Sequence, residues 1–189
     1  MTKICFVMVG VSGCGKSTAV KSLSAITGKS NITTFSLDDC RLRFAANHIA
    51  GEEMRRGGMT EAEAYRIAFD MANENKSEFD AYVNSAWQDA LKGDAIFVDN
   101  TNLTRKSRAR WINDARAQKA TIIGVEIHAP LDVVLARQAL RGDKIVPANI
   151  VRDMYMRQQE MLLGSECDFI LHIDGTKAQG TKAQGTFCF

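Results

Sequence analysis

Residues 10–17 read Gly-Val-Ser-Gly-Cys-Gly-Lys-Ser, glycine-rich and closed by a lysine and a hydroxyl. The spacing is GxxxxGK[ST], and these residue types suit one task, holding the phosphates of a nucleoside triphosphate. Glycines let the backbone curl until successive N–H groups point inward at phosphate oxygens. Lys16 is placed to reach the β- and γ-phosphates, and the Ser17 hydroxyl to complete a magnesium shell. Ser12, Gly13, Cys14, Gly15 and Thr18 belong to the same cradle. Cys14 offers it backbone rather than thiol chemistry. The ligands expected are ATP, or another nucleoside triphosphate, and Mg2+.

A phosphate cradle does not by itself say where the phosphate goes. Asp38 and Asp39 close the second apolar stretch, "ITTFSLDD". A carboxylate there lies across the strand ends from the cradle, able to accept a proton from an attacking hydroxyl. One of the pair is also a candidate N-cap for the helix that follows. Arg41, three residues after Asp38, suits an anionic group on the acceptor. Asp99, ending the apolar run "AIFVD", resembles a carboxylate that orders magnesium through water. Arg137 and Arg141, four apart and so on one helix face, precede Gly142 and the lid-like "DKIVP". They read as cations that close over the triphosphate, or as a solvated helix end complementing the dipole. No NKxD base-reading motif of the GTPase kind occurs.

The elements that must position these groups alternate. "KICFVMV", "ITTFSLDD", "AIFVDN", "TIIGVEIH" and "DFILHID" read as strands. The stretch after Lys16, two helices from Thr60 to Leu91, "TRKSRARWINDARAQ", "PLDVVLARQALRG" and a long "PANIVRDMYMRQQEMLL" read as helices. Thr60 and Glu63 form a capping-box pattern. The alternation predicts an α/β P-loop kinase fold: a five-stranded parallel sheet with helices on both faces and a small lid. Residues 1–174 form the kinase domain, with the lid at about 137–147. Residues 175–189, with their near-repeated "GTKAQ", read as a polar, loosely attached tail.

At 189 residues the chain suits one domain, and 46% hydrophobic and 24% charged residues with a net charge of +2 describe a globular protein. Nothing approaches a membrane span, and the cytoplasm is the expected location. The five cysteines are scattered and read as reduced thiols. His48, His128 and His172 lie far apart in the sequence and read as structural.

Five segments appear in order: "GVSGCGKST", "SLDDCRLR", "VDNTNLTRKSRARW", "RQALRGDKIVP" and "IVRDMYMRQ". Together they resemble the kinase module of polynucleotide 5′-kinases, over residues 3 to about 160. The resemblance implies ATP-dependent phosphorylation of a 5′-hydroxyl end of DNA or RNA, in nucleic-acid end healing. It implies Asp38 as general base and Arg41 as clamp on the phosphate just 3′ of the terminal nucleoside. Lys16 and Arg141 would stabilise the transferring phosphoryl, Arg137 would help close over the donor, and Ser17 would hold magnesium. Thr101 and Asn102 would order the acceptor side.

Two departures stand out. Ser36-Leu37 replaces the asparagine-arginine that many relatives carry before the first aspartate. "HIDGT" (172–176) mimics a phosphatase D-x-D-G-T box but has His172 where the nucleophile would stand. It reads as the end of the fifth strand, and no phosphatase activity is expected. Arg105, Lys106, Arg108 and Arg110 read either as a polyanion path or as a solvated helix face. A ligase or phosphatase acting in trans, and a second copy of the chain, stand as partners. Two rival functions remain: a small-molecule or nucleotide P-loop kinase, and a non-catalytic nucleotide-binding repair partner.

Overall fold

Strand β1 (Ile4–Val9) is apolar throughout because both of its faces are covered: Cys5, Val7 and Val9 enter one core layer, Phe6 and Met8 the other. It sits at the centre of the sheet. The computed structural model describes residues 2–48, 59–141, 145–177 and 185–188. β1 pairs in parallel with β3 (Ala95–Val98) and β4 (Thr121–His128). β2 (Ile32–Phe35) adds outside β3 and β5 (Phe169–Asp174) outside β4, giving five parallel strands in the order β2-β3-β1-β4-β5.

Among the described residues the helices are α1 (Lys16–Ile26), α2 (Leu37–Ala46), α3 (Glu61–Glu74), α4 (Lys76–Ala90), α5 (Arg105–Ala117), α6 (Leu131–Ala139) and α7 (Ala148–Arg157). α1, α6 and α7 cover one face of the sheet through Val20, Leu23, Val134 and Val151. The other face receives Phe44 of α2, Phe79, Val83 and Trp87 of α4, and Trp111 and Ile112 of α5. Trp87 is fully buried and packs edge-on against Phe35 and Trp111, with both centroid distances at 5.1 Å. Its indole N–H donates to Asp114 at 2.8 Å, so burial strands no polar group. Truncating such a residue costs about 3–5 kcal/mol. The helix start expected at Thr60 is present, with both halves of its capping box formed.

Three boundaries differ from the expectation. β2 stops at Phe35, because the Ser36 hydroxyl caps α2 by accepting the Asp39 N–H. Asp38 and Asp39 therefore occupy the first turn of α2, where carboxylates complement the helix dipole, and neither is the N-cap. The last helix is shorter than its sequence pattern. It ends at Arg157, because the following segment is drawn out by tertiary bonds: the Gln159 N–H donates to Leu103 O, and the Gln159 and Glu160 carbonyls accept from Arg108.

The third difference is in the tail. Gly185–Cys188 forms β6, antiparallel to β5, so this part is an edge strand rather than a loose end. Of the expected lid, residues 142–144 lie outside the described residues. No helix among the described residues is long and apolar enough to cross a membrane.

Candidate active site

The P-loop joins β1 to α1. α1 begins after Gly15 with no side-chain cap and no acidic residue in its first turn, so its positive end is unopposed. That is the local condition for anion binding. Gly13 has φ 89°, and a Cβ there would lie 2.9 Å from Gln138 Nε2. The left-handed φ of the loop's curl is what favours glycine there. Lys16 Nζ donates to the Gly10 and Val11 carbonyls, 2.9 Å each, resting along the rim of its own loop. These residues fit a triphosphate.

Beneath the loop, Ser17 Oγ donates to Asp99 Oδ2 at 3.1 Å, uniting the two groups expected to serve magnesium. Burial raises the Asp99 carboxyl above its ordinary range, opposed by Lys16 and the Ser17 hydrogen bond; Asp39 and Asp38 raise it further. Lys16, Asp99, Asp38 and Asp39 thus share one electrostatic neighbourhood at the carboxyl ends of β1, β3 and β2. An oxygen donor set of one hydroxyl and one carboxylate, completed by waters and phosphates, is what Mg2+ takes.

Across the rim, Asp38 Oδ1 accepts from Arg41 at 2.9 Å and from the Tyr65 hydroxyl at 2.5 Å. Burial, and then the bond to Asp38, raise the Tyr65 phenol well above its ordinary range, so it stays a donor. The Arg41 guanidinium lies 5.3 Å from the Phe69 ring centroid, and so is held by α3 as well as by Asp38. The α2 start is tied to the "DNTN" box by the Leu37 N–H, which donates to Asn100 Oδ1 at 2.8 Å. Asn100 Nδ2 is buried without a partner among the described residues.

The other expected residues are placed as follows. Asn102 is buried, adopts φ 47°, and donates its amide to Met8 O at 2.8 Å. It fastens the box to β1. The Thr101 carbonyl accepts the Gly10 N–H, tying the same box to the P-loop. Arg137 donates to the Gly175 carbonyl at 2.8 Å, bracing the end of β5. Arg141 reaches Ser12 Oγ at 3.5 Å, the limit of a hydrogen bond.

Gln138, which the sequence did not single out, is buried and donates to the same Ser12 Oγ at 3.0 Å, while its Oε1 accepts the Val146 N–H. It joins the P-loop, α6 and the segment at Val146.

The "HIDGT" segment ends β5 in a turn, with Asp174 Oδ1 accepting from the Thr176 N–H and hydroxyl. A Cβ on Gly175 would stand 2.4 Å from Cys14 O, so its glycine serves close packing on the P-loop.

The basic stretch of α5 is not a uniform path. Arg108 is fully buried, donating to both Glu166 oxygens at 2.7 and 2.8 Å. Arg105 and Arg110 lie 3.8 Å from Glu166 and Asp114, and Lys106 is exposed. Cys5, Cys14, Cys40 and Cys167 are buried free thiols, and burial pushes Cys5 up to about 12.

A curled loop on an uncapped helix, with a hydroxyl–carboxylate pair beneath it, defines a P-loop domain. The chain belongs to the family described as AAA domain, whose model matches residues 6–161. Its fold is similar to that of a gluconokinase from Sinorhizobium meliloti 1021, at 12% identity over 92% of this chain and 83% of that one, TM-score 0.52. A structure of the PezAT chromosomal toxin–antitoxin system of Streptococcus pneumoniae matches at 13% identity over 92% and 69%, TM-score 0.61. A fungal RNA kinase matches at 14% identity, TM-score 0.51, where 92% of this chain covers 38% of the other.

Proposed function

We propose that this protein transfers the γ-phosphate of ATP to the 5′-hydroxyl end of a polynucleotide, DNA or RNA. The observation that carries the reading is the Asp38–Arg41–Tyr65 group at the start of α2. β2 and β1 are two strands apart, so their ends are separated by about 10 Å, enough for a terminal sugar. Among the described residues Arg41 and Tyr65 both bond Oδ1, and Oδ2 of Asp38 would take the acceptor's proton. The acceptor oxygen bonds the γ-phosphorus as the bond from that phosphorus to the departing ADP oxygen breaks. Lys16 offsets charge on the transferred group, and Arg41, with five donors on its guanidinium, grips a phosphate while still holding Asp38. Ser17 and Asp99 would hold magnesium, which supplies neutralisation of the phosphate charge.

A second reading, a small-molecule or nucleotide kinase, draws on the burial of Arg108 and the carboxylates beside Arg105 and Arg110, which thin out the basic surface. The test is transfer of labelled γ-phosphate to matched DNA and RNA oligonucleotides with 5′-hydroxyl ends, alongside nucleosides and sugars. Label on the oligonucleotides is the expected result. Label on the small acceptors alone would establish the second reading. ATP binding without transfer to any acceptor would leave a nucleotide-binding partner protein.

A further inference from the structure

His128 and His172 are separated in sequence but belong to adjacent strands. The register of β4 on β5 pairs Glu126 with His172 and His128 with Asp174, so alternation puts Glu126, His128 and His172 on one sheet face. Ile127 and Ile173, which alternate with them, enter the core layer that packs α1, and the cluster lies on the opposite face. Its ligand-type atoms all lie within 4.8 Å of one another. The Glu126 side chain is 2% exposed, the His128 and His172 side chains 51% and 44%. One carboxylate therefore sits at the base of a cluster whose imidazoles open to solvent.

We infer that Glu126, His128 and His172 form a binding site for a borderline-soft divalent transition-metal ion of the Zn2+ type, separate from the magnesium position under the P-loop. Glu126 Oε2 lies 3.5 Å from His128 Nε2 and 3.3 Å from His172 Nδ1. Charge-assisted hydrogen bonds between such groups close to about 2.7–2.9 Å. With metal–ligand bonds of about 2.0–2.1 Å, the edge of a ligand tetrahedron is about 3.3–3.4 Å, which matches. The remaining edge, between the two imidazoles, closes by rotation of rings that are half exposed.

Glu126 is already aimed. Its Oε1 accepts the Met161 N–H, which fixes the carboxylate plane and leaves Oε2 for the ion. Two imidazoles and one carboxylate leave the fourth tetrahedral position to water. Imidazole nitrogen selects zinc, nickel, cobalt or copper over magnesium, so the two sites do not compete for one metal. An ion here bridges β4 to β5 three residues before Gly175, where the chain packs on the P-loop.

The experiment is titration of the full-length chain with Zn2+ against a chromophoric chelator at neutral pH, with excess Mg2+ present throughout. Co2+ absorbance reads the ligand field, and thermal unfolding is followed with and without Zn2+. The expected result is one ion per chain and a nitrogen–oxygen cobalt spectrum. His128→Ala and His172→Ala, both at exposed positions, should each lower affinity by about 100-fold or more and abolish the rise in Tm on adding zinc. Their melting without zinc shows that they fold. Zinc affinity unchanged in both variants, a thiolate signature in the cobalt spectrum, or no zinc binding by the wild-type chain would each overturn the assignment.

Discussion

Arg41 stands in two relations at once, donating to Asp38 and lying over the Phe69 ring. If it also grips an acceptor phosphate, removing it costs a charge-assisted hydrogen bond of about 1.5–3 kcal/mol, which is about 10- to 150-fold in acceptor affinity. Arg41→Ala should raise the acceptor KM by that order and leave the donor KM nearly unchanged. Steady-state kinetics with each substrate varied checks this, and an equal rise in both would contradict the clamp. Asp38 and Arg41 were each singled out in the sequence, but their pairing follows from both standing on α2, three residues apart, which brings their side chains together. Tyr65 was not singled out. It lies 27 residues from Asp38, inside a run whose period reads as an ordinary helix face. Asn102, which the resemblance placed on the acceptor side, is buried and donates its amide to the Met8 carbonyl, a contact that only the fold shows.

At the scale of elements, Arg108 decides how α5 is anchored. Four cations in "RKSRAR" look alike by composition. Yet Arg108 precedes Trp111, Ile112 and Ala115 by three, four and seven residues, the period of a buried face, and that signal was in the sequence. The guanidinium binds Glu166 and the carbonyls of Asn102, Gln159 and Glu160. Breaking a buried pair by removing one partner costs about 3–5 kcal/mol.

Arg108→Ala should therefore lower Tm by about 6–20 °C, measured by thermal unfolding. Acid dependence follows with its sign. Burial alone would raise the Glu166 carboxyl, but the Arg108 hydrogen bond and charge, with the Leu162 N–H, outweigh it and hold it below its ordinary range. A depressed carboxyl contributes stability above its unfolded pKa, about 4.3, and loses it as pH falls through the folded value. Denaturant melts from pH 6 to pH 3 should show wild-type stability falling below about pH 4.5, with a shallower fall in Arg108→Ala. Equal slopes in the two proteins would contradict the pairing.

For the whole molecule, the parallel sheet was legible because each strand is an apolar run and each crossover a helix, and the order β2-β3-β1-β4-β5 places Asp99 between P-loop and Asp38. β6 was not legible. An edge strand recruits by its unpaired backbone groups, which need no side-chain pattern, and "GTKAQGTF" shows none. The meeting of His128 with His172 was hidden likewise, since it depends on strand register rather than spacing. What the sheet achieves is to hold a carboxylate opposite a triphosphate cradle, and one comparison tests that most directly. Single-turnover transfer to a 5′-hydroxyl oligonucleotide is measured for the wild-type protein and for Asp38→Ala, with ATP affinity determined in parallel. The expected outcome is a fall in transfer of about 10²- to 10⁴-fold with ATP affinity retained. Undiminished transfer, or a loss that merely follows weakened ATP binding, would contradict the account.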